Sequence, residues 1–264
     1  MKRLTGVFFV LILLPSLVSA QSLKIEALRP QFQFDKEEPT LLTSAWFVTV
    51  AVPIYKRINF VGQLPFAFGK LKEAKASTDE TFGNPALGLR FDHKRLTIDV
   101  AVRIPLVKTG FAGFIGALAD LDRQEAFIAD ILPVVGMIRT NIDAAKYSVS
   151  PYGGIILNYK FEHKEGENFN FFRRIYKSTA NDGELYLLYG AEGWYKLGLF
   201  HLGATYNART WVTSGGTFSQ SSLNQLGLQA KLVFAKVEPG VLFRYPLDDT
   251  LLDYLIGIQC AFTL

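Results

Sequence analysis

Residues 95–105 read RLTIDVAVRIP. Taken by twos, Leu96, Ile98, Val100, Val102 and Ile104 fall on one side, and Arg95, Thr97, Asp99, Ala101 and Arg103 on the other. Successive side chains of a strand point to opposite faces, so the stretch makes one wholly aliphatic face and one that carries three charges. A helix would mix the two sets. The aliphatic face needs either a protein core or hydrocarbon beside it, and the rest of the chain decides which.

The N-terminus narrows the choice. Met1-Lys2-Arg3 is a short basic start, Val7 to Leu14 an apolar run, and Val18-Ser19-Ala20 a small-residue exit. This is the pattern of a secretory signal peptide cut after Ala20, giving a leader over 1–20 and a mature chain over 21–264. The apolar run falls short of the ~20 residues that a spanning helix needs. Gln21, rather than Cys, follows the cut, so no lipoprotein anchor is expected there. Removing Lys2 and Arg3 from the 28 basic residues leaves 26 against 24 acidic ones. A balance so near neutral gives no reason to expect a nucleic-acid partner. Past the leader no apolar run is long enough for a membrane helix, yet 49% of residues are hydrophobic, with 22 Phe and 11 Tyr. An exported, aromatic-rich, β-patterned chain without helical spans fits an all-β, antiparallel transmembrane barrel of the outer membrane, with outer-membrane lipid as its partner.

The alternation recurs in about twelve segments: 22–34, 42–54, 58–68, 82–91, 95–105, 133–141, 147–159, 184–194, 197–208, 223–234, 237–245 and 252–264. Most run nine to thirteen residues, against the ~9–11 of a tilted membrane strand and the ~5–6 typical of soluble strands. The first is the least regular, because Phe32 and Phe34 share a phase with Lys24 and Glu26; a bulge near Arg29-Pro30 would reconcile them. The connections alternate short and long. The short ones lie at 55–57, 92–94, 142–146, 195–196 and 235–236, and each carries Lys or Arg. The long ones lie at 35–40, 69–81, 106–126, 161–183, 209–222 and 246–251. Short periplasmic turns and long extracellular loops are the signature of outer-membrane barrels. A soluble sandwich has no reason to keep that parity.

Residues 106–126, LVKTGFAGFIGALADLDRQEA, form the odd loop. Phe114, Ala117, Leu118 and Leu121 recur at helical spacing. Two readings stay open: a loop folded into the barrel as a constriction, with Thr109, Gly110, Phe111 and Phe114 as its candidates, or a short helix lying on the outer rim.

Catalytic and metal signals are weak. His93 falls in a turn, His163 in a long loop, and only His201 on a polar strand face; no GxSxG or ligand-spaced His pair is present. His163 with Asp182 is the one acid–base pairing a loop offers. Cys260 stands alone on an apolar phase, which excludes an internal disulfide. No cofactor, metal or catalytic residue is assigned. The inward polar phase is richer and supplies the lumen candidates Arg90, Asp99, Arg103, Arg139, Glu192, His201, Lys231, Glu238 and Arg244. Arg90 with Asp99 and Lys231 with Glu238 lie on adjacent strands, so cross-strand ion pairs are expected. Such pairs either fill a narrow barrel or line a polar conduit of mixed sign.

Phe82 to Phe91, FGNPALGLRF, followed by a strand ending Arg103-Ile104-Pro105 and then by Lys108-Thr109-Gly110, resembles the broad group of outer-membrane transporters related to the aromatic-degradation (meta-pathway) and long-chain fatty-acid types. The likeness spans about thirty residues, and the corner here is longer than the group's tight Pro-Thr-Gly. The last strand, with Tyr254, Ile256, Ile258 and Phe262, resembles the assembly signal of outer-membrane barrels, although it ends on Leu264 rather than Phe. The resemblance implies a passive channel or transporter for small, apolar or aromatic solutes. The alternatives are a structural or adhesive barrel acting through its loops, and an outer-membrane hydrolase. Oligomeric state is not legible.

Overall fold

The structure is a computed structural model that describes residues 22–32, 41–71, 78–108, 110–160, 183–214, 216–248 and 250–264. The leader, Thr109, His163 and most of the 161–183 loop lie outside these residues.

The described residues form fourteen strands: β1 (Ser22–Phe32), β2 (Leu41–Tyr55), β3 (Ile58–Leu71), β4 (Thr78–Phe82), β5 (Ala86–His93), β6 (Leu96–Arg103), β7 (Ile131–Thr140), β8 (Ile142–Asp143), β9 (Tyr147–Lys160), β10 (Gly183–Leu197), β11 (Phe200–Trp211), β12 (Ser222–Leu232), β13 (Val237–Pro246) and β14 (Leu252–Thr263). All pairings are antiparallel. The sheet closes on itself, because β1 pairs β14 and β9 pairs β10. Two short pieces reduce fourteen to a barrel of twelve. β4 and β5 both pair β3 and are halves of one strand interrupted at Gly83-Asn84-Pro85, and β8 is a two-residue stub on β9 beside β7.

The aliphatic phases point outward. Val100, Leu228 and Ile258 are 54%, 64% and 60% exposed, within a belt of large apolar side chains around the barrel. A water-facing surface does not carry such a belt; hydrocarbon is its solvent. The expected bulge near Arg29-Pro30 is displaced. The β1–β14 register runs unbroken from Ser22 to Gln31 and shifts only between Gln31 and Phe32. Phe32 is therefore fully buried inside, in the same phase as Leu28 and Glu26.

That inward Phe has a partner. Residues 104–108 and 110–130 turn back into the lumen, so the loop is internal and not a helix on the rim. It carries α1 (Phe111–Ala119) and a 3-10 turn (Leu121–Ala126). The helix is shorter than the periodicity through Leu121 suggests, since Asp120 takes an extended conformation and ends it. It is buried on nearly every side rather than along one stripe, because the barrel wall surrounds it. Phe114, Ile115 and Ala117 pack with Phe127 against Leu28, Phe32, Ala45, Phe47, Ala67, Leu242, Leu252 and Leu255 on the inner wall. The barrel thus holds a second hydrophobic core, an internal one, under the stretch of wall formed by β13, β14, β1, β2 and β3.

Candidate functional site

The inward loop leaves the wall at the strand break before β5. There Asn84 is fully buried and its amide is saturated. Nδ2 donates to the carbonyls of Glu125 (2.9 Å) and Ile128 (2.7 Å), and Oδ1 accepts from the amides of Leu106 (2.8 Å) and Val107 (2.9 Å). One side chain thereby ties the outgoing and returning strands of the loop together at its neck. The Asn84 backbone amide adds a bond to the Ala126 carbonyl (2.6 Å), and Arg103 Nη1 donates to the Asn84 carbonyl (3.1 Å). A break in strand pairing leaves backbone groups that must find partners elsewhere, and Asn84 supplies them.

The helix is anchored from afar. Its first turn has no side-chain cap of its own; instead Asp79 on β4 accepts from the Ala112 amide (2.8 Å), a negative group at a helix N-terminus. Gly69 gives the Phe111 ring room: a Cβ there would lie 2.8 Å from it.

Around the 3-10 turn on the loop's returning side, four acids and four arginines converge. Arg123 reaches Glu26 on β1 (2.7 Å) and Asp120 (2.9 Å from Nε), with its guanidinium 3.8 Å above the Phe47 ring. Asp120 also meets Arg244 on β13 at 3.4 Å. Asp122 accepts from Asn207 on β11 (2.9 Å). Glu125 pairs Arg209 of β11, whose guanidinium lies 4.0 Å above the Tyr186 ring. Buried Arg103 completes the set by donating to Gln63 (2.8 Å). The loop is thus held by charge from β1, β11 and β13 at once. The electrostatics of its own groups follow. Burial alone would raise the Asp120 carboxyl, but Arg123 and Arg244 outweigh it and hold it low. Burial and the neighbouring Asp120 push Asp122 up to about 6. Burial disfavours the Arg123 cation, yet Asp120 and Glu26 raise its pKa above the ordinary arginine value.

Toward the short-turn end the lumen changes character. Arg90 and Asp99, directly opposite in register, pair at 2.7 Å with side chains 37% and 30% exposed. Lys231 pairs Glu238 at 2.7 Å and lies 4.7 Å above the Trp194 ring. Trp194 donates to Glu192 (2.7 Å), which faces Arg139 at 3.8 Å. His201 sits beside Lys231 on the same inner phase. The nine lumen candidates therefore fall in two groups. Arg103 and Arg244 belong to the buried clamp, and the other seven line a half-exposed vestibule. Of the constriction candidates, Gly110 precedes α1, Phe111 rests on Gly69, Phe114 is in the internal core, and Thr109 lies outside the described residues.

Sequence reasoning passed over Asn84 as a neck residue, the clamp members Glu26, Asp120, Asp122, Arg123, Glu125 and Arg209, and the apolar inner wall. One signal for the wall was present: Leu28, Phe32 and Phe47 are apolar on a phase that should be polar.

No protein-family model and no curated protein matches the sequence. Solved structures do. An outer membrane channel from Pseudomonas putida F1 superposes with a TM-score of 0.58 at 10% identity, over 93% of this chain and 96% of that one. The translocator domain of the autotransporter NalP from Neisseria meningitidis gives 0.53 at 11% identity, over 92% and 87%. LpxR from Salmonella typhimurium gives 0.50 at 10%, over 92% and 100%. At these identities the likeness is one of fold: this chain, a closed barrel of twelve strands by its own pairings, has the fold of outer-membrane barrels.

Proposed function

We propose that this protein is an outer-membrane channel for small solutes, in which residues 104–130 are an internal gate. One observation carries the reading: exposure of the lumen's ionic groups falls along the axis. Arg90 and Arg139 in the vestibule are 37% and 40% exposed, whereas Asp120, Glu125 and Arg209 in the clamp are 1–3% exposed. A half-exposed approach ends at a plug held by ion pairs, by the Asn84 amide and by the apolar packing of α1, none of it part of the strand ladder, a construction suited to opening without unfolding the wall. The vestibule's walls are charged and of both signs, which favours polar solutes and argues against strong selection for one sign of charge. Kinship with fatty-acid and aromatic-compound transporters rests on the thirty-residue likeness around FGNPALGLRF. The fold also serves translocators and LpxR, so it does not by itself choose among functions.

The test is conductance in planar bilayers, together with swelling of proteoliposomes in small polar solutes. The wild-type chain is expected to conduct in brief openings, and a chain with the neck loosened at Asn84 in long ones. Silence from both would remove the channel reading and favour a barrel that works through its external loops.

A further inference from the structure

Two neighbouring turns at the short-turn end share one sequence logic. β2 and β3 are joined by Lys56-Arg57, and β5 and β6 by Lys94-Arg95. Each Lys takes a left-handed conformation, with φ of 32° and 52°. Asn and Gly are the usual residues there, because a Cβ is disfavoured. The β10–β11 turn uses Gly198 at φ 60° in the ordinary way. A lysine has been placed twice where the backbone disfavours a Cβ, and strain retained in this manner points to function.

The two turns lie side by side, because β3 pairs β5 and the Asp92 amide bonds the Arg57 carbonyl at 2.9 Å. The patch faces outward. The Arg57 guanidinium donates to His93, and the His93 ring stacks on Phe91 (6.2 Å between centroids). Lys56 lies 5.4 Å over the Tyr55 ring, and Ile54 and Tyr55 are 59% and 62% exposed beside it. The one acid at hand, Asp92, is turned to the lumen, where Asn59 and Thr97 donate to it. Among the described residues none of the four cations is paired with a carboxylate. A cationic edge set directly on an apolar, aromatic-rimmed belt matches the headgroup level of a bilayer.

We propose that Lys56, Arg57, Lys94 and Arg95 form a docking surface for anionic phospholipid headgroups in the leaflet at the short-turn end, which in barrels of this kind is the periplasmic one. The test compares association of spin-labelled phosphatidylglycerol and phosphatidylcholine with the full-length barrel in phosphatidylcholine bilayers. The variant carries Lys56→Gly, Arg57→Asn, Lys94→Gly and Arg95→Asn, which puts glycine at the left-handed position of each turn and so protects the fold. Wild type is expected to prefer phosphatidylglycerol by about fivefold or more at low salt, the worth of one such cation at a membrane surface. The preference should vanish in the variant and at high salt. Equal association of the two lipids with wild type overturns the proposal, and so does a preference that survives in the variant. Loss of the preference on adding soluble glycerol 3-phosphate also overturns it, since that would make the patch a free-phosphate site.

Discussion

Replacing Asn84 by Ala should open the gate and spare the wall. The four amide bonds it removes are all short, between 2.7 and 2.9 Å, and the residue is fully buried. Taking about 1 kcal/mol net for each gives roughly 4 kcal/mol, and the two carbonyls and two amides left behind add to this unless water reaches them. At 1.4 kcal/mol per tenfold, the equilibrium between docked and released loop shifts by roughly three orders of magnitude. Barrel strand pairing is untouched, because no ladder bond involves this side chain. Asn84→Asp is the sharper variant. Its carboxylate still accepts from Leu106 and Val107 but faces the carbonyls of Glu125 and Ile128 without a proton to offer them. Single-channel recording should show open times lengthened in both variants. Hydrogen exchange should show faster exchange in Phe111–Ala119 with unchanged protection in β9 to β12, and retained heat-modifiable migration on gels would certify an assembled barrel. An assembled Asn84→Ala barrel whose helix exchanges as slowly as wild type would refute the neck argument.

Three further outcomes follow from the same geometry. Arg209→Ala strands the Glu125 carboxylate in a buried site, a change that typically costs about 3–5 kcal/mol, whereas Arg209→Met with Glu125→Met together should be close to neutral; thermal melts and conductance of the single and double variants check the difference. Gly69→Val sets a side chain where the Phe111 ring now rests, so it should expel or shift α1, with faster exchange of its amides as the readout. The docked loop holds Asp122 near 6 against an ordinary 3.8. A raised carboxyl favours the protonated, docked state, so docking should strengthen as pH falls from about 6 toward 4 and weaken as pH rises. Asp120, which is held low, loses its contribution only in stronger acid. Open probability should therefore rise from pH 5 to pH 7.5 in wild type and be flat across that range in Asp122→Asn.

The barrel was legible because lipid imposes a rule on every strand. Period-two alternation through Leu96, Ile98 and Val100, strand lengths near ten and the parity of loop lengths all follow from one slab of hydrocarbon. Lumen ion pairs were legible where the register is local: Arg90 and Asp99 face each other across one hairpin. The clamp was not, because it joins Arg123 to Glu26, 97 residues away, through a loop whose path no periodicity dictates. Nor does any local pattern distinguish an inward Asn that latches a loop from one that merely lines a wall.

The internal core has a consequence for assembly. Its wall residues come from both ends of the chain, Leu28 and Phe32 on β1 and Leu242, Leu252 and Leu255 on β13 and β14. α1 rests on β1, β2 and β3, and the residues that follow it span the seam where the first strand meets the last, through Arg123 to Glu26 on β1 and Asp120 to Arg244 on β13. The plug is a keystone. Its seat is incomplete until the barrel has closed, and once seated it binds the two halves of that seam to each other. An ejected plug would remove that bridge and uncover the apolar wall beneath it, so release of the loop and the integrity of the closed ring draw on the same contacts.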